Sequence, residues 1–497
     1  MKTIYNPFLP LDEYVPDGEA HVYDGRVYLY GSHDKAGSDR FCVQDYVVYS
    51  TPVDDLSSWT FHGVSYRKNQ DIRGFGRKED DLPDYYAPDC VRGNDGRYYL
   101  YYVAMGPKVH PFGPIAVAVS ERPEGPFSYY GDVSYEDGSP MLTYLTNDPA
   151  LLNDGGRIYL YYGWAIGMDM SSKFLAPLYR YVQSKLFGRS YQEIKATKPS
   201  IMGCAFLELK DDMLTAKGRP HLVLNSLSTA EKGTLEYEHP FYEAASIRKF
   251  GSRYYLVYSS GKNNELAYAM SDRPDGGFEV KGTLISNADL GYRGNKKAKA
   301  PAGTIHGSLE KIGNDYYVFY HRLTHGTDFS RQATAEKAKM NKDGTFGQIG
   351  ITSQGLYGKP LPGSGVYPAA IACYLYGPKT YKIGNGAGKK FPRVYEDSGL
   401  VYVRDVVDRT TIGYKYFAFA EGSFLSLTYR GTAMGSIEIR HEEGGKPVGY
   451  VAIEPSASWK KAKASFLFHQ GEGALYLTFR GKGKLDLRFI EFTLEKK

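Results

Sequence analysis

An all-β chain is predicted, a five-bladed β-propeller followed by a C-terminal β-sandwich, and three observations predict it. A Tyr-rich strand recurs five times, as GRVYLYGS around Tyr28, GRYYLYYV around Tyr99, GRIYLYYG around Tyr159, SRYYLVYS around Tyr255 and NDYYVFYH around Tyr317. Ten to twelve residues ahead of these copies stand Asp17, Asp89, Asp148, Glu243 and His306, all able to do chemistry. A second echo, S-x-R-P-x-G-x-F, closes both Ile115–Phe127 and Glu265–Phe278. Repeats at wide, uneven spacing suit a radial array of small sheets, in which equivalent positions face one axis.

Within each repeat the leading residue opens a short apolar run. A turn follows, such as Asp24-Gly25, Asn94-Asp95-Gly96 or Asn153-Asp154-Gly155-Gly156, and then the Tyr-rich strand. That is hairpin grammar, with turn residues that tolerate positive φ. The chain therefore returns beside the leading residue, which places Ser32, His33, Asp34, Trp164, His321 and Arg322 on the same face. The stretch from Ser171 to about Ser200 breaks the pattern. Its apolar residues fall at three- and four-residue spacing and predict a helical insertion, which either walls the pocket or packs on its rim.

The segment Leu356–Pro368, rich in Gly and Pro, reads as a linker or crossover. Beyond about Gly377 come short alternating strands such as SFLSLTYRG, GSIEIRHEE and GALYLTFRG, the pattern of a β-sandwich. The boundaries are residues 1–358 for the propeller and 359–497 for the sandwich.

Composition agrees. The 497 residues are too many for one ordinary core, and 46 Tyr against 3 Trp suit half-buried strands. The net charge of +5 is small and interspersed, so no nucleic-acid partner is expected. No apolar run spans a bilayer, and the start MKTIYNPFLP lacks a signal-like apolar core, so a cytoplasmic location is expected. Cys42, Cys90, Cys204 and Cys373 are far apart and suggest neither zinc nor a disulfide framework.

Carboxylates gathered around one axis repel each other and lose solvent, which raises the pKa of at least one. An acid and a carboxylate can then coexist at neutral pH, as acetal hydrolysis needs. Glu243, beside Phe241 and Tyr242, is the candidate general acid; Asp17, in the more polar PDGEAH, is the candidate base; Asp148 would tune the acid. Any one of these taken alone could equally cap a turn. Trp164 and Tyr86 are candidates for stacking on a sugar or for core packing, and His33 and Asp34 for hydrogen bonds to the sugar.

The segments NPFLP, PDGEAHVYDGRVYLYGS, YAPD ending at Asp89, NDPALLNDGGRIYLYYG, HPFYEAASIRK and TIHGSLEKIGNDYYVFYHR together resemble glycoside hydrolase family 43. The resemblance covers residues 1 to 350. It implies a five-bladed propeller and hydrolysis by single displacement with inversion, with Asp17 as base, Asp148 as pKa modulator and Glu243 as acid. It also implies that Arg331 contacts the terminal sugar, that Asp89 orients the substrate, and that His306 is the axial His near which some members hold a cation, often calcium, through water. The hydrolysis itself requires no cofactor. The C-terminal region resembles a family 6 carbohydrate-binding module, with Trp459 the aromatic that offers itself. The expected activity is exo-hydrolysis of terminal β-D-xylosyl or α-L-arabinofuranosyl residues of plant oligosaccharides. The alternatives are an exo-β-galactanase, an arabinanase, or a glycan-binding propeller without catalysis; oligomeric state is not legible.

Overall fold

The computed structural model describes residues 3–71, 82–106, 111–262, 264–378 and 392–494. The chain is all-β, and its first two thirds form five small antiparallel sheets in chain order. The first comprises Glu19–Tyr23, Arg26–Tyr30, Tyr46–Pro52 and Thr60–Tyr66. The second comprises Asp84–Arg92, Tyr98–Met105, Ala116–Ser120 and Ser128–Asp132, and the third Ala150–Asp154, Arg157–Trp164, Gly203–Leu209 and Ala216–Asn225. The fourth comprises Phe241–Phe250, Arg253–Ser260, Glu265–Ser271 and Glu279–Ser286; the fifth has three strands, Leu309–Ile312, Asp315–Arg322 and Gln332–Ala338. All five Tyr-rich repeats are the second strand of their sheet. The hairpin turn ahead of the first is made by Asp24 and Gly25, at φ 46° and 76°, the conformation that a two-residue connection matching strand twist requires.

Each sheet packs on the next. Tyr28 and Tyr46 meet Cys90 and Tyr102; Tyr101 and Val117 meet Leu160 and Leu207; Tyr161 and Phe206 meet Ile247 and Tyr258; Val257 and Tyr268 meet Val318 and Tyr320. The series closes when Phe319 and Ala335 of the fifth sheet pack on Val27 and Leu29 of the first. Tyr serves here better than Phe because its ring fills the gap and its hydroxyl reaches across. Tyr30 donates to the carbonyl of Pro123 at 2.7 Å and Tyr161 to that of Pro274 at 2.5 Å. These prolines are the fixed positions of the S-x-R-P-x-G-x-F echo, which is therefore a docking point for the neighbouring sheet.

Closure is reinforced along the backbone. Gly18 bridges Gly307, where a Cβ on Gly307 would lie 1.9 Å from the Phe319 carbonyl oxygen, so no side chain fits. Asn6 exchanges hydrogen bonds with both backbone groups of Ala335, at 2.9 and 3.1 Å.

Between the second and third strands of the third sheet the chain forms the predicted helices, Ala176–Phe187 and Tyr191–Ala196. The first stops at Gly188 in the left-handed conformation; the second starts on Ser190, whose side chain accepts from the Glu193 amide. Phe187 and Ile194 bury against Leu145, Ala165 and Met202.

The C-terminal part has two six-stranded sheets sharing one apolar core. Here the expected linker is corrected. Leu361–Gly363 and Gly365–Pro368 are strands, pairing with Thr411–Phe419 and Leu485–Leu494. They are short additions at sheet margins, where proline costs no ladder bond, which is why a Pro-rich stretch disguised them. Nor do the parts separate. Cys373, Tyr374 and Tyr476 belong to the core of the fourth and fifth sheets, and Arg322 donates to the carbonyls of Ala372 and Cys373 at 2.7 and 3.0 Å. Among the described residues no helix is long and apolar enough to cross a membrane.

Candidate active site

A cavity of about 390 Å³ opens where the first strands of the sheets converge. It is lined by Asp17, Asp148, Glu243, His306, His321 and Arg331, with Phe41, Tyr86, Phe112, Trp164 and Tyr242 as an aromatic wall. The leading residues reach it through strained backbone. Asp17, Asp148 and Ala244 stand at φ 59°, 45° and 64°, left-handed geometry that costs a non-glycine residue about 1 kcal/mol or more and that accumulates at functional sites.

The carboxylates have unlike surroundings. Asp17 is buried, yet its Oδ1 accepts from Arg331 Nη1 at 2.8 Å and lies 3.2 Å from His321 Nδ1. Burial works to raise its pKa, but Arg331 and then His321 hold it far below the ordinary carboxylate range. The expectation that Asp17 lies in a polar loop is corrected: the loop is buried, and a guanidinium keeps the charge. Glu243 is raised to about 7, by burial first and by the Asp17 charge second, with Trp164 Nε1 donating to its Oε2 at 2.9 Å. Asp148 is raised by burial, then Glu243, then Asp17, and its Oδ2 accepts from the Ala244 amide at 2.8 Å. Three acids thus share one cavity, one firmly ionised and two competing for a proton.

Tyr86 and Trp164 also line the cavity; Trp164 packs on Phe112 of the same wall, and behind it, edge-on at 5.9 Å, stands Phe187 of the helical insertion. The insertion backs the wall without lining it. Other expected contacts are corrected. Asp34 is fully buried, its two oxygens bonded to Arg331 Nε and Nη2 at 2.8 and 3.0 Å, so it holds Arg331 in place of a sugar. His33 is turned to Glu13 and the Asp45 carbonyl, at 2.9 and 2.7 Å. Asp89 lies outside the cavity: a register irregularity between Tyr86 and Asp89, with Ala87 at φ 34°, puts Tyr86 on the cavity and turns Asp89 beneath it. There it accepts from the amides of Cys90 and Leu151, both at 2.7 Å, and pairs with His21 at 2.5 Å.

The profile of Glycosyl hydrolases family 43 matches residues 4–346. The chain belongs to this family. It is a glycoside hydrolase. A xylosidase/arabinosidase of Thermoclostridium stercorarium is 38% identical over 99% of both chains, and xylosidase/arabinosidase 43A of Humicola insolens is 29% identical over 67% of this chain and 95% of its own. Among solved structures, a family 43 β-xylosidase/α-arabinofuranosidase from a compost metagenome, in complex with xylotriose and in a calcium-free form, superposes with a TM-score of 0.52 at 27% identity, covering 70% of this chain and 98% of its own. A family enzyme of Xanthomonas citri complexed with xylose gives 0.53 at 25% identity, covering 70% and 94%.

The residues on the axis of this family 43 enzyme do not fit a calcium shell. Calcium takes six to eight oxygens. Below His306 lie Glu19, His21 and Asp89. Asp89 is already bonded as described, and Glu19 Oε2 accepts from Arg248 Nη2 at 2.9 Å and Ser246 Oγ at 3.0 Å. Arg248 also donates to Glu310 at 2.7 Å. One oxygen, Glu19 Oε1, has no partner among the described residues; it faces His306 Nε2 at 3.9 Å, beside a guanidinium that repels cations. Burial lowers His306 to about 4, so the ring is neutral in the physiological range.

Sequence reasoning assigned no role to Phe41, Phe112, Asn147, Tyr242 or His321. Asn147 and Tyr242 adjoin Asp148 and Glu243, a readable signal; Phe41 and Phe112 come from loops outside the repeats and carry none.

Proposed function

We propose that the enzyme is an inverting exo-glycosidase that removes terminal β-D-xylosyl or α-L-arabinofuranosyl residues from plant-derived oligosaccharides. The observation that carries this is the unlike pairing of the cavity acids: Asp17 accepts from the Arg331 guanidinium at 2.8 Å, whereas Glu243 accepts from the neutral indole of Trp164 at 2.9 Å, which favours an ionised Asp17 and a raised Glu243. Asp17 takes a proton from water as its oxygen attacks the anomeric carbon; Glu243 gives a proton to the departing glycosidic oxygen as that bond breaks. Water is consumed and the anomeric configuration inverts. Asp148, bonded to the amide next to Glu243, tunes the acid, and Arg331 and the aromatic wall hold the sugar. A cavity of about 390 Å³ suits one terminal sugar better than a chain interior. The xylosidase and arabinosidase relatives support the pentose reading.

The five sheets are read as propeller blades over residues 1–358, supported by their ring of packing. Residues 359–497 are read as a β-sandwich similar to a family 6 carbohydrate-binding module but serving as a packed accessory domain. Trp459 stands edge-on to Tyr402 at 5.4 Å with the guanidiniums of Arg430 and Arg488 over its ring at 4.6 and 5.7 Å, which leaves it a poor sugar platform. Arg248 is read as supplying on the axis the positive charge that calcium would bring. A cytoplasmic enzyme of this kind would act on imported fragments.

The test is hydrolysis of 4-nitrophenyl β-xyloside, α-arabinofuranoside, β-galactoside and β-fucoside by wild type and Glu243→Ala, with the first-formed anomer read by NMR. Pentose release with inversion, lost in the variant, is expected; retention of configuration or undiminished activity in the variant would overturn the assignment.

A further inference from the structure

The strand Arg393–Asp397 belongs to the C-terminal part, held in its sheet by pairing with Leu400–Val406, with Glu396 opposite Val401. Its Glu396 leaves that sheet and reaches the first repeat. Glu396 Oε2 accepts from the Tyr14 hydroxyl at 2.9 Å, and His325 Nε2 meets the same hydroxyl at 2.8 Å. Tyr14 and His325 are buried, and the rings cross edge-on at 4.9 Å. The Thr324 hydroxyl donates to Gln332 Oε1 at 2.6 Å and so accepts from His325 Nδ1 at 3.0 Å, which leaves His325 Nε2 and Glu396 Oε2 as two acceptors flanking the Tyr14 hydroxyl. Burial and the Glu396 carboxylate both raise Tyr14, which keeps it a donor.

Tyr14 is placed to transmit this. It lies three residues before Asp17. Its own carbonyl accepts from the Asp34 amide at 3.0 Å, and Asp34 grips Arg331, which donates to Asp17. His325 stands six residues before Arg331, on a loop that the same C-terminal strand ties a second time, through the Val394 amide to the Thr324 carbonyl at 2.9 Å. Both chain segments that deliver the Asp17–Arg331 pair are therefore pinned to one strand outside the first five sheets.

We propose that Glu396 is a positioning residue for the hydrolysis: by fixing Tyr14 and His325 it sets the alignment of Arg331 on Asp17. The C-terminal part then acts on the reaction through a defined contact. This rests on the proposed function, because it presumes that Asp17 is the base. Misplacement by about 1 Å of a group that orients a reacting atom costs up to about 100-fold in rate.

The experiment compares wild type, Glu396→Ala and Glu396→Gln on 4-nitrophenyl β-xyloside and α-arabinofuranoside, with kcat, KM, the pH profile of kcat/KM and thermal unfolding for each. Glu396 is half-exposed, so the variants should fold. Glu396→Ala is expected to lose roughly tenfold in kcat with unchanged unfolding temperature, and its acidic limb to move to higher pH as Arg331 loosens from Asp17. Glu396→Gln, whose amide oxygen still accepts the Tyr14 hydroxyl, should recover most of the rate. An active wild type with Glu396→Ala within twofold in kcat and an unmoved acidic limb would overturn the inference alone, as would a loss that tracks lowered thermal stability. A wild type silent on every pentoside would overturn the function and this inference with it.

Discussion

Two clusters of acids share the axis of this enzyme, one above the other, and each has one guanidinium. In the upper, Arg331 bonds to Asp17 and to neither Asp148 nor Glu243 among the described contacts. In the lower, Arg248 bonds to both Glu19 and Glu310, while Asp89 takes His21 and two backbone amides. In both, pKa values are driven apart: burial raises Glu19 to about 8 while His21, against burial, lowers Asp89. What differs is access. Asp17, Asp148 and Glu243 line the cavity, with Glu243 half-buried, whereas Glu19 and Asp89 are wholly buried beneath it. Split acids that a substrate can reach are placed for chemistry; split acids sealed from it form a strut.

The strongest way to break this contrast is to remove the members that chemistry needs above and structure needs below. Glu243→Ala or Asp17→Ala should lower kcat/KM on xylo-oligosaccharides by about 1000-fold, about 4 kcal/mol of transition-state stabilisation. The loss in Glu243→Ala should be smaller on 4-nitrophenyl glycosides, whose leaving group needs less protonation. Arg248→Met should leave two buried acids, Glu19 and Glu310, without their guanidinium and cost about 3–5 kcal/mol of stability, read by denaturant unfolding. Its turnover per folded molecule should stay near wild type. A stable Arg248→Met enzyme that is catalytically dead would erase the distinction between the clusters.

Acid and base pKa values sharpen it further. In the proposed mechanism Glu243 must carry its proton, so kcat/KM should fall as pH rises through about 7. The same raised pKa weakens the fold. The unfolded state ionises Glu243 in the ordinary carboxylate range while the folded state resists until about 7, so wild-type stability is lost as pH rises across that window. Glu243→Gln does not titrate there, and its melting temperature should gain on wild type between pH 4.5 and 7 by a few degrees, about 1–2 kcal/mol. The smallest expected effect is that of EDTA, which should change neither melting temperature nor rate, because Arg248 occupies the axis. A drop in melting temperature with EDTA, restored by calcium, would show that a cation shares the axis with Arg248.

Much of this was legible in the chain. The repeats marked the second strand of every sheet, and Asp17, Asp148 and Glu243 were found because each opens a repeat. Asp89 was misplaced by the same logic, since a bulge shifts that strand and period counting does not see bulges. The lower cluster left a signal in GEAH, SIRKF and SLEKI, charged residues inside otherwise buried first strands, which a search for buried charge would have caught. Tyr14 and Glu396 could not be paired from sequence, for their contact is a meeting of two parts of the fold rather than a local pattern.

The ring closes late, and that has a consequence for synthesis. Arg331 is made 314 residues after Asp17, and Asn6 waits still longer for Ala335. On the ribosome the early sheets can form in turn, but the base has no guanidinium partner until the fifth sheet has left the exit tunnel and docked on the first. The Asp17–Arg331 pair is therefore withheld from every nascent fragment that ends before Arg331. It arrives in one step with the fifth sheet, so products of translation interrupted before that point lack it by construction.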